Sequence, residues 1–370
     1  MAHSFITIKE IARQALPRLI ENLVFPNLIY KDYSDTFVNG KGNKIQVKKP
    51  VILKADDFDE STGTVAQDVK EESVEVTLDK LATVDVEFGA LQSATNIDSL
   101  NRVFIEPAAV ALAQKINSDG LELYKDIPYV SGVAGTTPSA LTDIADVRKV
   151  LNAQKVPTAG RVAVWDTEAD AKFTTIPAVV NAEKSGSTQA LREGSIGRLF
   201  GLDNYMSQAV KVHEAGSIAG TTGMKVTVTA SKGATSVTFG KTSLSGDVKE
   251  GDILKIGNNT HVAKASATVD SAAVTVNIYP ALKEDVTTST TVEVMASHTA
   301  NLAFNPNAFA FVTRPLTVPA GVESYVTSYN GITLRVTRGY DMSKKKDLLS
   351  MDVLYGYKTM YEEMAVRVLG

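Results

Sequence analysis

Residues 191–208, LREGSIGRLFGLDNYMSQ, place Gly194, Gly197 and Gly201 within eight positions and set Arg192 and Arg198 among them. Glycines beside arginines can cradle a phosphate, because main-chain N–H groups approach an anion closely where no Cβ intervenes. The spacing argues against that chemistry. A P-loop needs G-x-x-x-x-G-K-[ST], its lysine reaching the phosphates and its hydroxyl binding magnesium. Here the intervals are three and four residues, and no Gly-Lys-Ser/Thr follows. A dinucleotide fingerprint needs G-x-G-x-x-G between a strand and a helix. In this stretch helix-like sequence precedes and strand-like DNYMSQAV follows, which inverts that order. The pattern therefore predicts a sharp multi-glycine turn between packed elements, with glycine supplying the positive φ such a reversal needs.

The remaining reactive residue types are sparse. The histidines are His3, His213, His261 and His298, no two at metal-ligand spacing, and each is expected on the surface or in a loop. The pairs Asp56/Asp57 and Glu362/Glu363 lie in charged runs that need no catalytic role. With no cysteine, disulfides, thiolate catalysis and cysteine–zinc sites are excluded. G-x-S-x-G, H-E-x-x-H, an EF-hand loop and D-F-G are absent from the sequence. No catalytic residue, cofactor or metal is expected.

The elements around these residues read as α+β. Residues 7–23 carry an apolar stripe at helical spacing, with Thr7 and Glu10 as a capping box and Pro17 expected to kink or split the helix. Its stripe can pack on its own core or on a neighbouring copy. Residues 39–55 hold Lys41, Lys44, Lys48, Lys49 and Lys54 around a strand signal. Residues 56–72 hold seven acidic residues and one lysine, and SVEVTLDKLATVDVEF then reads as a returning strand. Together they predict a long charged hairpin. Its segregated charge is either a solvated face or a means of meeting opposite charge on adjacent copies. The longest helical stretch is 97–126, with Pro107 opening a second segment. Residues 141–183 read as helix, short buried strand and helix, with Asp166 as the second helix's N-cap.

From 213 to 299 the chain changes to short β-branched runs, MKVTVTA, TSVTFG, DILKIG, AAVTVNIYP and TTVEVMA, without helices. That pattern predicts a small barrel or sandwich inserted into an α+β unit. Length, 370 residues, implies two or three packing units. A net charge of −4 argues against a dedicated nucleic-acid binder. The N-terminus lacks the apolar core of a secretory signal, and no apolar run is long enough to predict a membrane span.

The order of these parts resembles the major capsid (coat) proteins of tailed bacteriophages, in the branch with an inserted β-barrel domain. LREGSIGRLFGLDNYMSQAVKV is similar to that family's passage from a helix into the strand before the insertion. NPNAFAFVTRPLTVP resembles the re-entry strand, and LRVTRGYDMSKKKDLLSMDVLYGYKTMYEEMAVRVLG resembles the terminal strands with an LYGY turn. The resemblance implies the tailed-phage capsid fold, shared with herpesvirus floors and encapsulin shells. It implies an N-terminal arm (1–35), an extended loop hairpin (36–78) and a peripheral domain (79–139) with its spine helix (97–126). An axial domain (140–212), an inserted β-domain (213–299) and a return to axial and peripheral domains (300–370) would follow. It further implies a structural protein, not an enzyme, assembling with itself as hexamers and pentamers into an icosahedral shell around double-stranded DNA. Scaffolding and portal proteins are the implied partners, the virion capsid the location, and the bacterial cytoplasm the place of assembly, with no membrane. An encapsulin-type compartment around cargo enzymes is the alternative. Lys44, Lys48, Lys49, Asp56 and Asp57 are then expected to serve assembly. Arg192 and Arg198 would tie the Gly194, Gly197 and Gly201 turn to acidic or carbonyl groups, within the subunit or across a capsomer.

Overall fold

The computed structural model describes residues 8–31, 44–48, 73–89, 105–181, 189–342 and 346–370. Helix α1 (Ile8–Asn22) is followed by β1 (Lys44–Lys48), β2 (Ser73–Thr77), β3 (Lys80–Gly89) and α2 (Glu106–Leu121). Next come β4 (Val130–Gly132), α3 (Leu141–Ala153), β5 (Val162–Trp165), α4 (Thr167–Thr174), α5 (Pro177–Val180) and α6 (Gln189–Glu193). Then follow β6 (Arg198–Leu199), β7 (Leu202–Met206), β8 (Val212–His213), β9 (Met224–Val226), β10 (Ser236–Gly240) and β11 (Asp247–Val248). After them come β12 (Ile253–Ile256), β13 (Asn259–Ala263), β14 (Ala267–Thr268), β15 (Ala273–Tyr279) and β16 (Thr291–Val294). The last strands are β17 (His298–Phe304), β18 (Phe309–Arg314), β19 (Glu323–Tyr329), β20 (Ile332–Asp341), β21 (Lys346–Thr359) and β22 (Ala365–Leu369). These form two compact units. One draws on residues within 1–22, 30–113 and 309–360, the other on 23–29, 114–308 and 361–370.

The first unit is built on an antiparallel sheet of order β18-β21-β20-β19, with β3 also paired to β21. Helix α1 buries Ile8, Ile11, Ala12, Ala15, Leu16 and Leu19 and packs on β19 and β20 of its own chain. Pro17 neither splits nor ends it. The bond it forfeits is outweighed by apolar burial on both sides, at Leu16 and Leu19. Thr7 of the expected capping box lies outside the described residues.

Strands β1 and β2 pair antiparallel from Lys44↔Thr77 to Lys48↔Ser73, which is the base of the expected hairpin. Its distal part, with Lys49, Asp56 and Asp57, lies outside the described residues. The Lys44 ammonium meets Glu75 of the same hairpin at 2.6 Å, both side chains well exposed, so this pair contributes little stability. The single returning strand expected over 73–88 is in fact two. The chain breaks at Leu78 and Asp79, and β2 pairs with β1 while β3 pairs with β21.

The expected LYGY turn is also corrected. Leu354–Tyr357 lie inside the 14-residue β21. A Cβ at Gly356 would stand 2.2 Å from the Thr77 carbonyl oxygen, so this glycine permits a close backbone approach and not a reversal. In the same sheet, buried Asp352 accepts from Arg335 Nε at 2.9 Å and Nη2 at 2.6 Å, while Ser350 Oγ donates to its other oxygen at 2.8 Å.

The second unit holds a seven-stranded sheet of order β4-β22-β17-β5-β7-β6, with β8 also paired to β17. Ile144, Val147 and Leu151 of α3 and Ala169 and Phe173 of α4 pack with Trp165, Ala303 and Val366 of the sheet. Asp166 caps α4 as expected, its carboxylate accepting from the Glu168 and Ala169 N–H groups. The single helix expected to 183 divides, because Ile176 precedes Pro177 and adopts extended backbone. The helix expected over 97–126 ends its α-helical part, α2, at Leu121, and Glu122–Asp126 tighten to 3-10. Its expected start, 97–104, lies outside the described residues.

Between β8 and β17 the chain forms a closed barrel, β10-β15-β13-β12-β16-β9. Val237, Phe239, Leu254, Ile256, Val276 and Val294 belong to its core. The barrel strand missing from the sequence reading is β13, NTHVA, whose polar start hides it, and the short β11 and β14, which pair with each other outside the barrel, are missing too. The re-entry strand also differs. It is β17, beginning at His298, and NPNAFAFVTR follows as a 3-10 turn and β18. Both expected edges of the insert, 213 and 299, therefore fall inside strands that pair with each other.

Replacing Arg335 with alanine leaves the Asp352 carboxylate buried without its cation, and chemical denaturation should show a loss of about 3–5 kcal/mol. The pair Arg335→Met with Asp352→Leu should recover most of it.

Candidate functional site

The glycine–arginine segment runs from the end of α6 through the β6–β7 hairpin. Gly194, Gly197 and Gly201 all have positive φ, at 67°, 70° and 83°. Leu199 pairs with Leu202 across Phe200 and Gly201, so β6 and β7 form a two-residue hairpin. Both central residues have positive φ, the mark of a type I′ turn. Asn204 fastens the segment to the sheet. Its main-chain N–H and its Nδ2 both donate to the Gly197 carbonyl, at 3.2 and 2.9 Å, and its Oδ1 accepts from the Trp165 indole at 2.9 Å. Ile196 and Leu202 anchor it in the α3–α4 core.

Of the two arginines, Arg198 reaches Asp203 in the same hairpin at 3.6 Å, an exposed and weak pair. Arg192 is exposed on α6 and has no hydrogen bond or ion pair among the described residues. Neither arginine has a buried partner among the described residues.

What the sequence reading missed here is apolar. Leu191, Phe200, Tyr205 and Met206 are all exposed, Leu191 at 72%. Phe200 is unusual twice over, an aromatic residue at φ 48° whose side chain faces solvent. A bulky residue in the left-handed region costs about 1–2 kcal/mol, and such strain persists chiefly where function requires it. Among the described residues β7 pairs beyond Asp203 with β5 alone, so Asn204–Met206 also present a strand edge there. An exposed aromatic at a hairpin tip was the available signal.

The histidines correct the sequence reading outright. His213, His261 and His298 are buried, at 3%, 0% and 2% exposure, and His3 lies outside the described residues. His213 Nε2–H donates to Asp252 Oδ1 at 2.8 Å, and its Nδ1 accepts from the Tyr124 hydroxyl at 3.1 Å. The Arg367 guanidinium lies 4.4 Å from the centre of the Tyr124 ring, and Nη1 donates to the Gly251 carbonyl at 2.7 Å. His213 and His298 rings are 5.4 Å apart. Burial lowers the pKa of both, His298 to about 4, with the Arg367 charge acting in the same direction. Burial also brings Arg367 down, to about 9. Tyrosine, histidine and carboxylate in series resemble a catalytic relay, but Tyr124, His213 and Asp252 are all buried.

A groove of about 390 Å³ lies elsewhere, lined by residues of 131–140, Asp143 and Asp146. Asp143 there accepts from the Ser139 and Ala140 N–H groups at 2.7 and 2.9 Å, as a helix cap does. No group of three or more potential metal ligands occurs among the described residues.

No protein-family model matches the chain, and no curated protein matches it either. Solved structures do, among them chains from phages and from a virus-like particle. A chain of Mycobacterium phage Che8 is 16% identical, with 94% of this chain and 90% of that one covered at a TM-score of 0.51. A chain of the cyanophage P-SCSP1u capsid is 13% identical, covering 94% and 88%, at 0.48. A chain of the virus-like particle from Pyrococcus furiosus is 10% identical, covering 97% and 98%, at 0.40. The chain has the mixed α/β fold of tailed-phage capsid proteins.

Gly201→Val should lower stability by about 1–2 kcal/mol through the turn alone, since open space surrounds its Cβ position. Gly201→Asn should cost a few tenths. Thermal unfolding followed by circular dichroism reads both.

Proposed function

We propose that this chain is the major capsid protein of a tailed phage or prophage, a structural subunit that assembles with itself into an icosahedral shell around double-stranded DNA. The likeness of fold to the Mycobacterium phage Che8 chain across 94% of this one carries the reading. Hexamers and pentamers are the assembled species, with scaffolding and portal proteins as partners, and assembly takes place in the bacterial cytoplasm. In this reading the β1–β2 hairpin is the base of the extended loop and α2 the spine. The β5–β7 sheet belongs to the axial domain and the barrel is the inserted domain.

The physics suits the role. A shell subunit needs several modest interfaces, because combining them through closure gives avidity that no single tight contact supplies. Leu191, Phe200, Tyr205 and Met206 on one unit, and Tyr329, Tyr340 and Met342 on the other, are exposed apolar groups of the kind such interfaces bury. A mildly acidic chain suits a container that encloses DNA without gripping its phosphates.

Purified full-length protein, alone and co-expressed with its genomic neighbours, should form rings or shells by size-exclusion chromatography and negative-stain microscopy. A species that stays monomeric in every combination would sink the reading. Shells that carry one co-purifying enzyme and no DNA would identify a cargo compartment instead.

Phe200→Asn gives a sharper result. Asparagine tolerates the left-handed turn better than phenylalanine, so stability should hold or rise by up to about 1 kcal/mol. Yield of assembled particles should nevertheless fall.

A further inference from the structure

The barrel rests on the remainder of its own unit through a small apolar contact, a buried polar core and rim contacts, Lys264 to Asp126 at 2.8 Å, Tyr279 to Glu362 at 3.2 Å and Lys283 over the Tyr129 ring. Ile253 and Val262 of the barrel pack with Leu369 of β22, flanked by Val130, Ala134 and Met295. Beside them Asp252, at the start of β12, reaches His213 on β8, and β22's Arg367 reaches the Gly251 carbonyl. Few apolar groups among the described residues share the contact and the Lys264–Asp126 pair at its rim is partly exposed, so the state of the buried polar core weighs heavily on how firmly the barrel is seated.

That core is balanced only in one protonation state. Asp252 is saturated: its oxygens accept from His213 Nε2, from the Gly216 N–H at 3.1 and 3.3 Å, and from the Lys249 N–H at 2.8 Å. One carboxylate therefore faces one guanidinium, and Arg367 Nε and Nη2 have no acceptor among the described residues. His298 spends its Nδ1–H on the Ala296 carbonyl at 2.7 Å and leaves Nε2 buried and without a donor among the described residues. The other groups facing the core are Tyr124, Lys125 and Glu122 on the 3-10 turn Glu122–Asp126. Glu122 is engaged at the surface with Lys211 at 3.8 Å. No second carboxylate is inside to take up an added charge among the described residues.

We propose that the seat of the barrel on the sheet is a proton-operated latch, closed while His213 and His298 are neutral and released when they are protonated. A proton on His298 Nε2, or on His213 Nδ1 in place of the Tyr124 hydrogen bond, adds a cation beside Arg367 where one carboxylate is already committed. Undocking the barrel gives both imidazolium groups water. The sign follows from the burial that lowers both histidines. The seated form binds fewer protons than the open form, so seating is complete above the ordinary histidine value of ~6.5. It is lost as pH falls through that value toward about 4, where His298 titrates when seated. This device is independent of whether the chain builds a shell.

Hydrogen–deuterium exchange of the purified full-length chain between pH 7.5 and 4.5 tests the latch, with rates corrected for the intrinsic pH dependence of amide exchange. Exchange in 249–254 and 365–369 should rise roughly tenfold or more. Barrel strands β10 and β15 should stay protected, and emission from Trp165, the single tryptophan, should stay that of a buried indole. The double variant His213→Asn, His298→Leu should be seated at neutral pH and lose the acid response. If it does not fold, His298→Gln should blunt the response. His261→Gln, which alters a buried histidine on β13, should leave it intact. The latch is overturned by an acid response that persists in the double variant, is undiminished in His298→Gln, or disappears in His261→Gln. It is equally overturned if junction exchange is flat with pH, or if junction, barrel strands and Trp165 lose protection together.

Discussion

In the second unit almost everything hangs on one strand whose hydrogen-bonding edges are both taken. β17 lies between β22 and β5 and pairs also with β8 at its start, so it holds the two ends of the barrel excursion side by side. Its side chains serve both faces. Ala303 enters the α3–α4 core, Phe304 meets Phe25 edge-on at 5.4 Å, and Asn301 Oδ1 accepts from the Asp166 N–H that begins α4. A strand so committed cannot shift register without exposing one apolar face and orphaning buried amides. The barrel therefore hangs from a fixed frame, and its strands are free to close on themselves.

Much of this was legible in the residues, where local chemistry decides. Alternating β-branched runs marked most barrel strands, Asp166 marked a helix start, and glycine spacing by itself excluded a phosphate cradle. The failures share a cause. Strand β13 begins with Asn259 and Thr260, and only its neighbours in the closed barrel make it a strand. Gly356 looks like a turn residue until Thr77, far away in sequence, is seen pressing against it. Each of the three buried histidines has a polar sequence neighbour, which reads as surface. Their burial comes from distant segments, as when Tyr124 and Asp252 close over His213, and no local pattern reveals it. Asn330-Gly331 is a plainer signal: both residues have positive φ and make the two-residue turn of the β19–β20 hairpin.

The glycine–arginine stretch shows how a motif changes meaning without losing importance. Its glycines are needed for backbone geometry, its arginines are solvent-facing, and its apolar side chains are the unusual feature. Natural hairpins place asparagine or glycine where this one places Phe200. Conformational strain and exposed aromatic surface thus coincide at one residue, and neither is explained by the fold of the isolated chain.

The interleaved order of strands has a consequence for synthesis on the ribosome. The barrel's strands come from one continuous span of about 70 residues, so they can close soon after that span emerges. The sheet must wait, because β22 ends at Leu369 and its partner β4 begins at Val130. Until the last residues emerge, a finished barrel hangs from a half-made sheet whose β17 and β4 lack their shared partner β22. Long-range pairing of this kind folds late and exposes strand edges to other chains in the meantime. Crowding on a polysome is thus the moment at which this chain is most exposed to pairing with the wrong copy.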